Sequence, residues 1–275
     1  MIVVVGTPSY RPPASTGSGS AGGLAAAIAR AAAGASAEVQ LVGKIGDDPA
    51  GDAVVLSLGR DGIGRAALLR DPARPTPIVS TEPFDPAVDL DNPRGGDDAA
   101  DAAWDGGNVP ERILPEDPAL RPTLEAGDLQ LGLRYVADFS VLVLAEPLEP
   151  DARRAAFEAA AYGQAHVIVI GSAGAGAGAD STTAASEIDS AGACAPSPAA
   201  AADDPATAAA DDPATSATTA FEAPVENPGG AFAVLVGRYA AALDAGRDPR
   251  AAFAEASRTG GWERAADDPP VEAQD

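Results

Sequence analysis

Short runs of apolar residues alternate along this chain with segments in which apolar residues recur every three or four positions. The runs are typical of buried strands, and the segments are typical of helices with one apolar face. Strands are predicted at residues 2–5, 39–42, 66–69, 77–80, 140–144 and 166–171. Helices are predicted at 21–33, from Asp47 or Asp48 to Gly59 or Gly62, at 151–162, at 232–243 and from Asp248 to Gly260. This alternation predicts an α/β fold whose mostly parallel sheet has helices on both faces.

Three segments lack this patterning. Residues 7–20 are rich in Pro, Ser, Thr and Gly, which predicts a loop. Residues 82–128 have many Asp, Pro and Gly residues and little apolar periodicity. Residues 172–224 are low-complexity Ala, Asp, Thr, Ser and Pro, and the sequence of 203–207 recurs at 211–215. So few large apolar side chains cannot offset an ordering entropy of about 1–2 kcal/mol per residue, so 172–224 is predicted to be a disordered loop or linker.

These patterns together predict one core rather than several domains. Residues 1–171 form most of it, and 225–262 add its C-terminal helices, with an acidic tail at 263–275. No apolar run is long enough to span a bilayer, and the first residues show neither a basic flank nor a cleavage-site pattern. A cytoplasmic location is therefore expected.

The formal net charge of −23 narrows the range of partners. Such a surface repels nucleic-acid phosphates and anionic lipids, so neither nucleic acid nor membrane is expected to bind. Cys194 is the only cysteine and His166 the only histidine, which excludes an internal disulfide and a zinc site built from several histidines. A GC-rich genome and adaptation to a salty, halophile-like cytoplasm both account for the acidity, and neither indicates a function.

Three glycine-containing blocks carry the most specific signal. They are Gly-Ser-Ala-Gly-Gly with its following helix at 19–30, Gly-Lys-Ile-Gly-Asp-Asp-Pro-Ala-Gly-Asp at 43–52, and Gly-Gly-Ala-Phe with its helix from 229. In type and order they resemble segments of the PfkB (ribokinase-like) carbohydrate kinases. The resemblance implies a ribokinase-like three-layer sandwich, here shortened, in which 82–128 would be a lid or an irregular region. It also implies sugar contacts at Gly22, Gly23 and Lys44.

The same resemblance implies where phosphate chemistry would take place. Nucleotide or phosphate contacts would fall on Gly171, Gly174 and Gly229, and no metal ligands are identified. The family's Gly-Ala-Gly-Asp motif supplies backbone N–H groups for the phosphate and an aspartate that accepts the hydroxyl proton. Alignment on Ala231 and Phe232 places Gly230 at the position of that aspartate.

Other features of the family are missing as well. Pro228 removes one N–H donor from the same motif, and Gly23 stands where the family has a sugar-binding asparagine. Residues 7–20 contain no aspartate, and the family's Asn-x-x-Glu motif is absent. Glu226, four residues before Gly230, is a candidate replacement base, with a surface glutamate as the alternative reading.

These departures favour a degenerate, catalytically inactive homologue that acts as a structural or regulatory subunit of a protein assembly. A protein partner or a homo-oligomer is then expected. One alternative is an active ATP-dependent carbohydrate or nucleoside kinase that uses Mg-ATP and a non-standard base. Another alternative is a sensor that binds nucleotide or sugar without turnover.

Overall fold

The computed structural model describes residues 1–13, 18–80, 112–115, 117–136, 138–172, 217–223 and 230–260. Its strands are β1 (Ile2–Val5), β2 (Ser9–Arg11), β3 (Ser20–Gly22), β4 (Val39–Gly46), β5 (Leu68–Asp71), β6 (Ile78–Ser80), β7 (Arg112–Leu114), β8 (Val141–Leu144), β9 (His166–Ser172) and β10 (Thr218–Ala223). Its α-helices are α1 (Gly23–Gly34), α2 (Pro49–Arg60), α3 (Ala126–Tyr135), α4 (Pro150–Tyr162), α5 (Ala231–Asp244) and α6 (Pro249–Gly260). Within these ranges no helix is long and apolar enough to cross a membrane.

Six parallel strands form the central sheet, in the order β10-β9-β8-β1-β4-β5. All four residues of β1 and all four of β8 are buried, as expected for strands covered on both faces. One apolar cluster packs α1, α2, α5 and α6 against one face, and a second packs α3 and α4 against the other. The predicted three-layer α/β architecture with a mostly parallel sheet is therefore confirmed.

Asp48 is the N-cap residue of α2. The sequence had predicted either Asp47 or Asp48 for this position. Oδ1 of Asp48 accepts hydrogen bonds from the Gly51 amide and the Thr76 hydroxyl, and its Oδ2 accepts one from the Thr76 amide, each at 2.7 Å. Burial alone would raise the pKa of Asp48, but these hydrogen bonds lower it below its ordinary value. Asp48 is thus a structural carboxylate that ties α2 to the segment before β6.

A second sheet of four short strands has the order β3-β2-β6-β7. It corrects the prediction that residues 7–20 form a loop, because β2 and the first residue of β3 lie there. These strands have three residues each, and β2 pairs with β6 through Tyr10 and Ile78, far apart in the sequence. Strand β7 falls in the segment interpreted as a lid or an irregular region, and residues 82–111 and 116 of that segment lie outside the described ranges.

Three further elements differ from the sequence prediction. Residues 218–223 form β10, although 172–224 was predicted as a loop, while 173–216 lie outside the described residues. Only Phe221 of β10 is fully buried, so the strand carries almost no apolar pattern of its own. Helix α3 was not predicted, and β4 continues through Gly46, so the glycines at 43 and 46 lie in a strand rather than a turn.

Candidate functional site

The order of strands creates a crevice at one edge of the central sheet. After β1 the chain adds β4 and β5 on one side, and it later places β8, β9 and β10 on the other. The direction of winding therefore reverses between the neighbouring strands β1 and β8. In open α/β sheets, ligands bind outside the carboxyl ends of the strands at such a switch point. The residues that follow β1 and β8 are therefore the first candidates for a functional site.

A half-buried carboxylate occupies this point. Oε1 of Glu146, two residues after β8, accepts hydrogen bonds from the Thr7 amide at 3.0 Å and the Thr7 hydroxyl at 2.9 Å. Glu146 also lies against the end of β1, since a Cβ atom added at Gly6 would be 3.7 Å from its Cδ. In the described part of the chain no group donates to Oε2, the other carboxylate oxygen. Oε2 can therefore accept a hydrogen bond from a ligand.

Burial raises the pKa of Glu146 above its ordinary value, and the two hydrogen bonds from Thr7 oppose this only in part. Thr7 lies between β1 and β2, so the carboxylate sits where the central sheet meets the second sheet. The sequence analysis missed this residue. The signal was available, because Glu146 is the first acidic side chain after a clear buried strand.

Helix α5 directs its N-terminus towards the same edge. At its other end, Oδ1 of Asp244 accepts hydrogen bonds from the Met1 amine at 2.6 Å and from the Ser140 hydroxyl, at the beginnings of β1 and β8. The helix has 14 residues, so it is about 21 Å long and runs back along both strands to their carboxyl ends. Gly230, its N-cap, has φ +74° and provides no side-chain cap. The first turn of α5, with the partial positive charge of its N–H groups, therefore lies on the same edge of the sheet as Glu146.

The structure gives Gly22 and Gly23 a steric role. A Cβ atom at either position would lie 3.1 Å from the Ser9 hydroxyl, and Gly23 has φ +81°. The Ser9 hydroxyl is buried and has no hydrogen-bond partner among the described residues. Both glycines thus let the start of α1 approach β2 closely. Their predicted contact with a sugar remains a prediction.

Lys44 has a protein partner. Its Nζ donates to Oδ2 of Asp128 at 2.8 Å, and the same oxygen accepts from the Glu125 amide at 3.0 Å. The ammonium group therefore ties β4 to the first turn of α3. This contact accounts for the half-buried position of Lys44, and its predicted contact with substrate is untested.

The remaining predicted site residues are distributed differently. Gly171 is exposed near the end of β9, where an added Cβ would make only an ordinary contact with the Phe221 carbonyl at 3.9 Å. Gly174, Glu226 and Gly229 lie outside the described residues, so the structure does not test them. Among the residues that are described, no three His, Cys, Asp or Glu side chains come together as a metal site.

No protein-family model matches this chain, and no curated protein is significantly similar to it. Solved structures do resemble it, among them the fructokinase from Xylella fastidiosa, at 17% identity and a TM-score of 0.42 over 62% of this chain and 49% of that one. The fructokinase from Vibrio cholerae O395 in its fructose, ADP and calcium ion bound form is 18% identical. Its TM-score is 0.42, over 62% of this chain and 49% of that one. Aminoimidazole riboside kinase from Salmonella enterica is 15% identical, with a TM-score of 0.40 over 62% of this chain and 49% of that one.

These neighbours are sugar or riboside kinases, the class to which the sequence resemblance pointed. The match spans about half the length of each of them.

Proposed function

We propose that this chain is a non-catalytic relative of the PfkB-like carbohydrate kinases that binds a small hydroxyl-bearing molecule and serves as a regulatory subunit of a protein assembly. The observation that carries the proposal is the contrast at the edge of the sheet. Glu146 has a carboxylate oxygen there without a donor among the described residues, whereas Gly230, at the position of the expected base, has no side chain.

The missing side chain bears directly on rate. A positioned base contributes about 10²- to 10⁴-fold to a proton-transfer step, and a glycine cannot supply it. The N-terminus of α5 still provides N–H groups and partial positive charge, which favour an electron-rich ligand group. The edge therefore keeps groups that can bind a ligand and lacks, at Gly230, the group expected to activate a hydroxyl.

Glu146 determines the kind of ligand that fits. Its free Oε2 accepts O–H or N–H donors, and a hydrogen bond to an ionised carboxylate contributes about 1.5–3 kcal/mol. A neutral polyhydroxyl compound would satisfy this oxygen without bringing a second negative charge. A sugar or a riboside is the simplest ligand of this kind.

Calorimetric titration tests the binding half of the proposal. The full chain is titrated with D-fructose, D-ribose, a purine riboside, Mg-ATP and Mg-ADP, at low salt and in molar KCl. Binding of at least one sugar or riboside is expected, with affinity reduced about 10- to 100-fold in Glu146→Gln. Glu222→Gln is the matched control, because Glu222 is exposed on β10. Equal affinities of native protein and Glu146→Gln would refute the assigned site.

Recovery of complexes from the native host tests the regulatory half. A stable companion protein, released or retained according to the sugar added, is the expected result. A chain that purifies alone and runs as a single species with and without sugar would refute the subunit role while leaving the binding site standing.

An active kinase is the second candidate, and one observation favours it. The raised pKa of Glu146 brings its carboxyl group closer to neutral pH, where a general base is most effective. In that case Glu146, rather than Glu226, would accept the hydroxyl proton. The signature is ATP turnover in native protein that Glu146→Gln abolishes and Glu226→Gln does not.

A further inference from the structure

A groove of about 770 Å³ lies between the C-terminal halves of α3 and α4, on the face of the central sheet opposite α5. The apolar part of its lining includes the buried residues Leu133, Val136, Phe139 and Ala155. Tyr162, which is 96% exposed, also belongs to the lining. Small-molecule pockets have volumes of about 300–1,000 Å³, so the groove is large enough for a small ligand with an apolar group. We call this feature the α3–α4 groove.

The groove lies at the edge of the central sheet opposite the Glu146 edge. Phe139 comes shortly before β8, and Gly163, which is also in the lining, comes shortly before β9. Glu146 follows the other end of β8. Because these strands are parallel, they begin at one edge of the sheet and end at the other. The groove is therefore separate from the site to which the proposed function belongs.

Three charged residues belong to the lining, namely Arg134 on α3, Asp138 in the turn after α3, and Glu158 on α4. Glu158 has a partner, because its carboxylate lies 4.0 Å from the Arg154 guanidinium, and its side chain is 68% exposed. Arg134 and Asp138 form no ion pair with each other or with any other residue that the structure describes. In that part of the chain, the groove thus has one cation and one anion without an ion-pair partner.

A ligand that carries a carboxylate and an ammonium close together would pair with both residues. The guanidinium of Arg134 suits a carboxylate, and the carboxylate of Asp138 accepts hydrogen bonds from an ammonium. Helices α3 and α4 both end beside the groove, and the partial negative charge of their C-termini also favours an ammonium. A neutral apolar molecule would leave both charges unpaired, and the backbone of an internal peptide segment carries neither charge.

We propose that the α3–α4 groove binds a free α-amino acid with a large apolar side chain, of the size of leucine or phenylalanine. The carboxylate of the ligand pairs with Arg134, its ammonium pairs with Asp138, and its side chain packs on the apolar part of the lining. Both charges of the ligand and both charges of the protein are then paired. The proposal is independent of the function proposed for the Glu146 edge, because the two sites share no residue.

Calorimetric titration of the full chain with L-phenylalanine, L-leucine and two analogues of phenylalanine tests the proposal. Phenethylamine lacks the carboxylate and 3-phenylpropionate lacks the ammonium, so each should bind about 10-fold or more weakly than L-phenylalanine. An absence of binding by both amino acids at concentrations up to about 10 mM would overturn the proposal. An analogue that binds as tightly as L-phenylalanine would also overturn it, because one of the two charges would then contribute nothing.

Two variants assign each charge of the ligand to a residue. Arg134→Gln should weaken binding of L-phenylalanine about 10-fold or more without weakening binding of phenethylamine, which has no carboxylate. Asp138→Asn should weaken binding of L-phenylalanine to a similar extent without weakening binding of 3-phenylpropionate, which has no ammonium. Asparagine tolerates the φ of +65° that Asp138 adopts, so this variant keeps the backbone of the turn.

Matched controls separate the groove from its surroundings. Arg153→Gln is the control for Arg134→Gln, because Arg153 is exposed on α4 and lies outside the lining. Asp151→Asn is the control for Asp138→Asn, because Asp151 is exposed and pairs with Arg154. Neither control, nor Glu146→Gln at the other edge, should change the affinity for L-phenylalanine. If Arg134→Gln and Asp138→Asn reduce that affinity no more than their controls do, the assigned site is wrong.

Discussion

The two ends of α5 differ in how their polar groups are satisfied. At the C-terminal end, Asp244 accepts hydrogen bonds from the Met1 amine and the Ser140 hydroxyl, at the edge of the sheet where β1 and β8 begin. We call this the closed end, because these polar groups are paired within the protein. At the N-terminal end, Gly230 offers no side-chain cap, and Glu146, on the same edge of the sheet, keeps one oxygen without a donor among the described residues. The closed end needs no ligand. The N-terminal end has polar groups without a partner among the described residues, which is why the proposed function is placed there.

The close packing of α5 against α1, midway between the two ends of α5, should be the contact most sensitive to substitution. A Cβ atom at Gly237 would lie 2.6 Å from Ala31 Cβ and 2.7 Å from the Ile28 carbonyl. Because backbone cannot yield easily, Gly237→Val should cost about 3 kcal/mol or more of unfolding free energy. Urea unfolding measures this, with Gly34→Ala as the control, because nothing lies within 4 Å of that position. A cost below 1 kcal/mol would mean that α5 is not seated as described.

Asp48 differs from Glu146 in that both of its carboxylate oxygens accept hydrogen bonds from groups of the protein itself. Asp48→Ala should cost about 2–3 kcal/mol, because it removes a helix cap and leaves the Thr76 amide and hydroxyl without the carboxylate to which both donate. Asp47→Ala is the matched control, since Asp47 is exposed and pairs only with Arg70, and it should cost less than about 0.5 kcal/mol.

The lowered pKa of Asp48 gives this contribution a pH dependence. The folded state holds the proton less tightly than the unfolded chain, so the stabilisation is complete above the ordinary value of 3.8 and is lost as pH falls through the folded pKa. The stability difference between native protein and Asp48→Ala should therefore shrink below pH 3.8. A constant difference across that range would contradict this assignment.

Loss of the ion pair between Asp244 and the Met1 amine should have a smaller effect on the unfolding free energy. Asp244→Asn keeps the shape of the side chain but loses the ion pair with the Met1 amine, so about 1–2 kcal/mol should be lost. Thermal unfolding measures the change, with the exposed Asp151→Asn as a control. An effect no larger than that of the control would show that this end is not closed by the ion pair.

Glu146→Gln should have the smallest effect on stability, and its sign depends on pH. Because burial raises the pKa of Glu146, the folded state holds the proton more tightly than the unfolded chain. Its contribution is complete below the ordinary value of 4.5 and is lost as pH rises through the folded pKa. The unfolding free energy of the variant should therefore increase relative to that of native protein as pH rises, by less than about 1 kcal/mol. A large loss at neutral pH would instead mark Glu146 as structural.

The sequence predicts β1, β4, β5, β8 and β9 of the central sheet because each of them contains an apolar run, whereas β10 has one buried residue and was not predicted. The second sheet could not be predicted in this way. Its strands have three residues each, and β6 and β7 pair through Val79 and Ile113, which are distant along the chain. Helix α3 was hidden because its buried apolar residues, Leu129 and Leu133, are few within a stretch rich in Asp and Gly.

The candidate site was predictable only in part. The family resemblance pointed to the glycine blocks, and the φ of Gly230 and the tight contacts of Gly22 and Gly23 agree with special backbone positions there. Glu146 required the topology, because its importance comes from lying at the switch between β1 and β8 beside Thr7, 139 residues away. Lys44 looked like a ligand contact, and only the structure reveals its ion pair with Asp128.

Production of ADP by the full chain tests the central claim most directly. Native protein and Glu146→Gln are incubated with Mg-ATP and each sugar or riboside that native protein binds in the titrations. The account predicts a ligand that native protein binds about 10- to 100-fold more tightly than Glu146→Gln does, with no ADP formed above the rate without protein. Ligand-dependent ADP formation by native protein, lost in Glu146→Gln, would contradict it and make Glu146 the base of an active kinase.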